Sequence, residues 1–186
     1  MNYYKKGRRA ADRNRDRLAE TYFQRGLLHG DLKCAYGVFA LRMKTGADAR
    51  EAWESFVQML PQICLLAEQR DGDACFILGR CYETGCGGET DMELAKRWYT
   101  AGALLGCLDA AYDLGCLYCR MGGRENVQRG IGWFRLAAEK NHKEAQQGLV
   151  RAYTLLGQGR RALFWLKRAR RGGSAFLKEQ YRKELQ

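Results

Sequence analysis

Residues 73–108 read DACFILGRCYETGCGGETDMELAKRWYTAGALLGCL, and the chain then writes the same pattern twice more. Residues 109–143 read DAAYDLGCLYCRMGGRENVQRGIGWFRLAAEKNHK, and residues 144–174 read EAQQGLVRAYTLLGQGRRALFWLKRARRGGS. Ala74, Ala110 and Ala145 are equivalent, as are Leu78, Leu114 and Leu149, and then Tyr82, Tyr118 and Tyr153. Trp98, Trp133 and Trp165 mark a fourth position. Alanine, leucine and tyrosine recur at i, i+4 and i+8, one face of a helix. A fixed period of this size is the signature of stacked helical units, each burying its apolar face against the next.

The surroundings agree with an all-α chain. There is one proline in 186 residues, and 46% of them are hydrophobic. Alternating β-branched runs, which would signal strands, are missing. No stretch approaches the roughly 18 apolar residues of a membrane span. The basic N-terminus is not followed by an apolar segment, so it does not read as a secretory signal. An intracellular, cytoplasmic protein without membrane contact is expected, with its eight cysteines mostly reduced. The net charge of +11 is uneven: +5 over residues 1–30, −3 over 72–123 and +7 over 158–186. Basic ends can attract nucleic acid or an acidic partner. They can equally solubilise the exposed terminal units of a repeat stack.

From the N-terminus, residues 1–9 read as a mobile basic tail. Residues 10–46 form a degenerate repeat part. Leu18, Tyr22 and Phe23 share one face of a helix that Gly26 and Gly30 end. LAETYFQRGLLHG (18–30) aligns with LAKRWYTAGALLG (94–106), so the chain begins with the second half of a repeat. Asp31 caps the next helix by accepting a free N–H of its first turn. Ala35, Phe39 and Met43 are expected at the alanine, leucine and tyrosine positions, and Gly46 closes that helix. Residues 47–72 form an extended helix carrying an insertion of about nine residues, since Trp53 lies further from Ala74 than Trp98 does from Ala110. Pro61 falls in it and predicts a kink or a separate helix over 61–68. Repeats over 73–108, 109–143 and 144–174 follow, then a capping helix over 175–186. Thr90 with Glu93 reads as a capping box, and Asn126 as the cap of the following helix.

The pattern resembles the Sel1-like repeats, relatives of the tetratricopeptide class. Their motif runs roughly A-x-x-x-L-G-x-x-Y-x-x-G-x-G, an acidic cap, then A-x-x-W/Y-x-x-x-A. Ala74, Leu78, Gly79, Tyr82, Gly85, Gly87, Asp91, Ala95 and Trp98 match it. So do Ala110, Leu114, Gly115, Tyr118, Gly130, Trp133 and Ala137, and then Ala145, Leu149, Tyr153, Ala162, Trp165 and Ala169. The resemblance implies a right-handed α-solenoid of antiparallel helix pairs acting as a non-catalytic scaffold or adaptor for a protein or peptide partner. It further implies that the first helix of each repeat lines a concave groove. Its contact positions would be Asp73, Phe76, Arg80 and Glu83, then Asp109, Tyr112, Cys116 and Cys119, then Glu144, Gln147, Arg151 and Thr154. Aromatic and arginine residues there suit binding hot spots; an ordinary solvated face is the alternative.

Other chemistry finds little support. Some secreted bacterial relatives carry a disulfide in every repeat between cysteines eight apart. Cys75 occupies the second such position, but Ala67 occupies the first. Cys116 and Cys119 form a C-x-x-C, and a composite zinc site with Cys81 and Cys86 is one reading. Small buried hydrophobes are the commoner use of cysteine, so no metal or cofactor is expected. His29 and His142 lie near helix ends, where capping or dipole interactions explain them. No nucleophile–base pair, phosphate loop or dinucleotide fingerprint is present, so the chain is expected not to be an enzyme. The alternative function is nucleic-acid or acidic-partner binding through Arg160, Arg161, Lys167, Arg168, Arg170 and Arg171, with Lys5, Lys6, Arg8 and Arg9. Phosphate binding of that kind is steeply salt-dependent.

Overall fold

The computed structural model describes residues 2–86 and 88–171. They form helices α1 (Tyr3–Ala11), α2 (Asp16–Leu28), α3 (Leu32–Thr45), α4 (Ala49–Glu68), α5 (Gly72–Thr84), α6 (Met92–Leu104), α7 (Leu108–Met121), α8 (Arg124–Glu139), α9 (Lys143–Leu155) and α10 (Gly159–Arg171), with no strand among the described residues. The chain divides into two compact units, 1–98 and 99–186. In the first unit α1 to α5 pack in sequence, with α1 also against α3 and α3 against α5. In the second, α7 to α10 pack in sequence, with α7 against α9. The expected capping helix over 175–186 lies outside the described residues.

One joint recurs where each second helix hands over to the next first helix. The second residue after the helix is left-handed: Gly30, Arg70, Gly106 and Asn141 all have positive φ. The next N–H reaches back five residues, in Asp31 to Gly26, Asp71 to Leu66, Cys107 to Gly102 and His142 to Ala137. Each is a Schellman motif, which satisfies two otherwise orphaned carbonyls. The same residue then starts the next helix. The Asp31 carboxylate accepts from Lys33 N, Asp71 from Asp73 and Ala74 N, and His142 from Ala145 N. One residue thus closes one helix and opens another, which fixes the register of the whole pattern.

That register corrects several expectations. Three residues past each joint stand Cys34, Ala74, Ala110 and Ala145, all with zero exposure. Cys34, not Ala35, therefore holds the alanine position, and Met43 is 45% exposed because it lies off the packed stripe. Eight residues before each joint stand Phe23, Ile63, Tyr99 and Phe134, all buried. The position one residue before these is Trp98 and Trp133 in the later repeats but Gln62 in α4, so Trp53 is not a repeat tryptophan. It joins Phe39, Phe56 and Tyr36 in an aromatic cluster, with Phe39 and Phe56 stacked at 4.5 Å. The joints stand 40, 36 and 35 residues apart, so the excess in the first interval is about half the nine expected.

α4 runs unbroken from Ala49 to Glu68 with Pro61 inside it, so there is no separate helix over 61–68. Pro61 is exposed, and water can solvate the carbonyl its missing N–H leaves unpaired. Residues 3–11, expected as a tail, form α1. Asn2 accepts from Lys5 N at 2.8 Å, and Tyr4, Gly7 and Ala10 are buried on one helical face. Gly26 lies inside α2 and not at its end. A β-carbon there would meet Cys34 Sγ at 2.2 Å, so this glycine permits close packing of α2 on α3. Asp91, not Thr90, caps α6, accepting from Leu94 N at 2.9 Å. Asn126 is not a cap; it sits in the first turn of α8 and donates to the Gly122 carbonyl.

Candidate partner-binding faces

In the first unit the groove residues are turned to internal use. Phe76 on α5 has zero exposure, and the Tyr4 ring of α1 meets it edge-on at 6.1 Å. The ordered first helix thus covers the aromatic that was expected to anchor a partner. Lys33 of α3 lies over the Tyr4 ring and pairs with Asp73 at 3.1 Å. The Arg80 guanidinium lies over the Tyr36 ring at 5.6 Å and pairs with Glu83 at 3.5 Å. Burial raises the Tyr36 hydroxyl above its ordinary pKa, with the Arg80 charge opposing. Phe76 therefore binds α5 to α1 and Arg80 binds it to α3, while Glu83 pairs with Arg80 within α5.

In the second unit α7 and α9 lie side by side and present a more open row. Tyr112 is half-buried, its ring 5.8 Å from Phe134 and 5.6 Å from His142. His142 is fixed from both sides. Nδ1 accepts from Ala145 N at 3.2 Å, which puts the proton on Nε2, facing Asp109 Oδ1 at 3.2 Å. Tyr112 and Cys116 are one turn apart on α7, and Gln147 and Arg151 one turn apart on α9. Gln147 and Cys116 are half-buried, and Arg151 is exposed. Burial pushes the Cys116 thiol up to about 11, and burial also raises Cys119. Cys119 packs toward α8, where its sulfur would stand 3.0 Å from a β-carbon on Gly130. Neither thiol is a ready nucleophile or ligand. Among the described residues no group of three or more His, Cys, Asp or Glu side chains is placed to hold a metal ion.

The basic row lies on α10. Arg160, Arg161, Lys167 and Arg168 are exposed, and Phe164 among them is 58% exposed. Arg161 stacks over Tyr153 and Arg168 over Trp165. The side chains of Arg170 and Arg171 lie outside the described residues. At the other end Lys6 lies over Tyr22, Arg8 over Tyr4, and His29 stacks on Tyr3 at 5.3 Å. No described helix is long and apolar enough to cross a membrane.

Sequential helix pairs joined by one recurring turn define a helical-repeat protein of the tetratricopeptide-like class. Residues 72–107, 108–142 and 155–174 each match the Sel1 repeat family model, and the chain is a Sel1-like repeat protein. α9, between the second and third matches, follows the repeat in structure while its sequence has drifted.

Solved structures agree on the fold. A Sel1 repeat protein from Oxalobacter formigenes is 24% identical, with a TM-score of 0.56, covering 87% of this chain and 66% of that one. The protein c5321, described as a protective antigen of uropathogenic Escherichia coli with this repeat fold, is 26% identical with a TM-score of 0.57. The match covers 88% of this chain and 35% of c5321. A tetratricopeptide-repeat protein of Thermus thermophilus is 18% identical with a TM-score of 0.60, covering 99% and 97%. The chain thus spans just under two thirds of the first structure and about a third of the second. No curated protein matches the sequence.

Two features escaped the sequence reading. The buried plug Phe134 sits beside the eye-catching Trp133, and its signal was a glycine on each flanking helix, Gly115 and Gly148. The joint was visible only as Gly30 and Gly106, because Arg70 and Asn141 disguise the same conformation.

Proposed function

We propose that this chain is a non-catalytic adaptor, and that the α7–α9 row of the second unit takes a segment of a partner protein. The observation that carries the reading is the contrast between the units. Phe76 is fully buried and Arg80 lies over Tyr36, whereas Tyr112 is half-buried and Arg151 exposed on neighbouring helices. Helical repeats of this kind generally serve as protein-interaction scaffolds, and half-exposed tyrosine with arginine is the usual composition of an interface anchor. His142 and Phe134 pack against Tyr112, so little side-chain entropy is lost when it is covered. Affinity capture from the native cell tests this, comparing wild type with Tyr112→Ala/Arg151→Glu. Loss of a captured protein at unchanged helical circular dichroism supports the α7–α9 row; unchanged capture refutes it.

A second reading rests on α10. Four exposed cations surround an exposed phenylalanine, a composition that suits a polyanion with stackable bases or an acidic protein segment. A gel shift with generic RNA and DNA at two salt concentrations separates these. A salt-sensitive shift favours nucleic acid, and no shift leaves the acidic protein segment as the occupant.

A further inference from the structure

We infer that Cys81 and Cys86 form a peroxide-oxidisable dithiol, a covalent modification site at the end of α5. Cys81 is in the last turn of α5, and Cys86 follows the left-handed Gly85 that ends it. The Cys86 N–H donates to the Cys81 carbonyl at 3.1 Å, so the turn folds the two cysteines back on each other. Their side chains hydrogen-bond as well.

The surroundings give the two sulfurs different roles. Cys81 donates its proton toward Cys86, and the Arg80 charge stands nearby. Together these hold the Cys86 thiol below its ordinary range despite burial. The Cys81 thiol is correspondingly pushed up and keeps its proton. Cys34, Cys75, Cys116 and Cys119 are all raised, chiefly by burial. A thiolate is the nucleophile in such chemistry, so Cys86 attacks and Cys81 resolves.

Both cysteines are buried; a cavity of about 230 Å³ lined by Leu60, Cys64, Leu78, Cys81, Tyr82 and Glu89 opens at Cys81, the neighbour of Cys86, and not at Cys86 itself, so an oxidant reaches Cys86 past Cys81. A water molecule's share of liquid volume is about 30 Å³, so a small hydroperoxide fits. The other repeats place Leu117 and Ala152 where Cys81 stands, ten residues past the joint, so the pair is no part of the repeat's own packing.

The chemistry balances with a hydroperoxide as oxidant. The Cys86 thiolate attacks the terminal peroxide oxygen; the O–O bond breaks, and hydroxide or alkoxide leaves and takes up a proton. Cys86 becomes a sulfenic acid. The Cys81 sulfur then attacks the Cys86 sulfur, the S–O bond breaks, and water leaves with the Cys81 proton. Two electrons pass from the dithiol to the peroxide.

Trypsin makes the test direct, because cleavage after Arg80 and Lys96 places both cysteines in one peptide and Cys64 in another. The full-length chain is treated with hydrogen peroxide, alkylated, digested and weighed. The expected product is peptide 81–96 lighter by two hydrogens and unalkylated, with the other cysteines alkylated. Cys86→Ser should abolish that product, and Cys81→Ser should leave a sulfenic acid that dimedone traps. A cross-link between the Cys64 peptide and peptide 81–96 overturns the assignment, as does oxidation spread evenly over all cysteines. Should a serine variant fail to fold, limited alkylation of reduced wild type decides. Cys86 labelled ahead of Cys75 and Cys116 supports the pair, and Cys86 labelled no faster than they are refutes it.

Discussion

The Phe134 ring lies so close to Gly148 that a β-carbon on that glycine would stand 2.8 Å from Cε1. The same ring would meet a β-carbon on Gly115 at 2.6 Å, so Phe134 is clamped between two glycines on α7 and α9. Phe23 is clamped alike between Gly7 and Gly37 in the first unit. Helix propensity alone favours Gly→Ala by about 1 kcal/mol. Overpacking a filled core costs about 1–3 kcal/mol, and with a buried ring as the obstacle the clash wins. Gly148→Ala should therefore lower unfolding stability by about 1–2 kcal/mol in urea titrations. Gly132 on α8 is exposed and has nothing within 4 Å of its would-be β-carbon. Gly132→Ala should show bare propensity and raise stability by about 0.5–1 kcal/mol.

The left-handed joints give opposite signs at equivalent places. Arg70 has φ of +66° and is exposed, whereas Gly106 at the equivalent position has φ of +93°. A side chain in that region costs roughly 1–2 kcal/mol, partly offset by glycine's greater freedom in the unfolded chain. Arg70→Gly should stabilise by about 0.5–1 kcal/mol, and Gly106→Ala should destabilise by about 1 kcal/mol. Thermal or urea unfolding of the two variants checks both, and equal signs would refute the shared joint.

These joints also show what the sequence could and could not disclose. Periodic alanine, leucine and tyrosine made the helical repeat legible, because burial of one helix face leaves a direct trace in composition. Register was harder. Asp31, Asp71, Cys107 and His142 do one structural job with three chemistries, so no letter marks the joint. Aligning residues 18–30 with 94–106 already places Cys34 opposite Ala110, yet a visible alanine next door draws the eye to Ala35. The groove residues were legible as positions on first helices. Their use was not, since the burial of Phe76 depends on α1, which came disguised as a basic tail.

His142 links α9 to α7 as well as capping α9. Its Nδ1 accepts the Ala145 N–H and its Nε2 faces Asp109, both at 3.2 Å, and the ring is 4% exposed. His142→Ala leaves a cap unmade and a cavity, and losing a cap typically costs about 1 kcal/mol on its own. A total loss of about 2–3 kcal/mol is expected. His142→Asn can still accept the Ala145 N–H and should recover roughly the capping share, about 1 kcal/mol. Asparagine no better than alanine in urea unfolding would show that the Asp109 contact and ring packing carry the whole effect.

Cys75 Sγ lies 3.8 Å from the Ala67 carbonyl, both residues being buried where the end of α4 meets the start of α5. At the matching place in the second unit Gln146 Nε2 reaches the Ala138 carbonyl at 3.3 Å. At these two joints the residue four past the joint is thus held against the residue eight before it, the spacing at which cystine-bearing relatives place their bridges. Replacing Ala67 by cysteine supplies the missing half. A bridge closing a loop of about nine residues restricts the unfolded chain by roughly 2–3 kcal/mol if it forms unstrained. Oxidised Ala67→Cys should therefore unfold at higher urea than wild type, and dithiothreitol should return it to wild-type stability or slightly below. Failure of the introduced thiol to pair with Cys75 under mild oxidation would show that the sulfur's approach to the carbonyl does not bring the β-carbons within bridging distance.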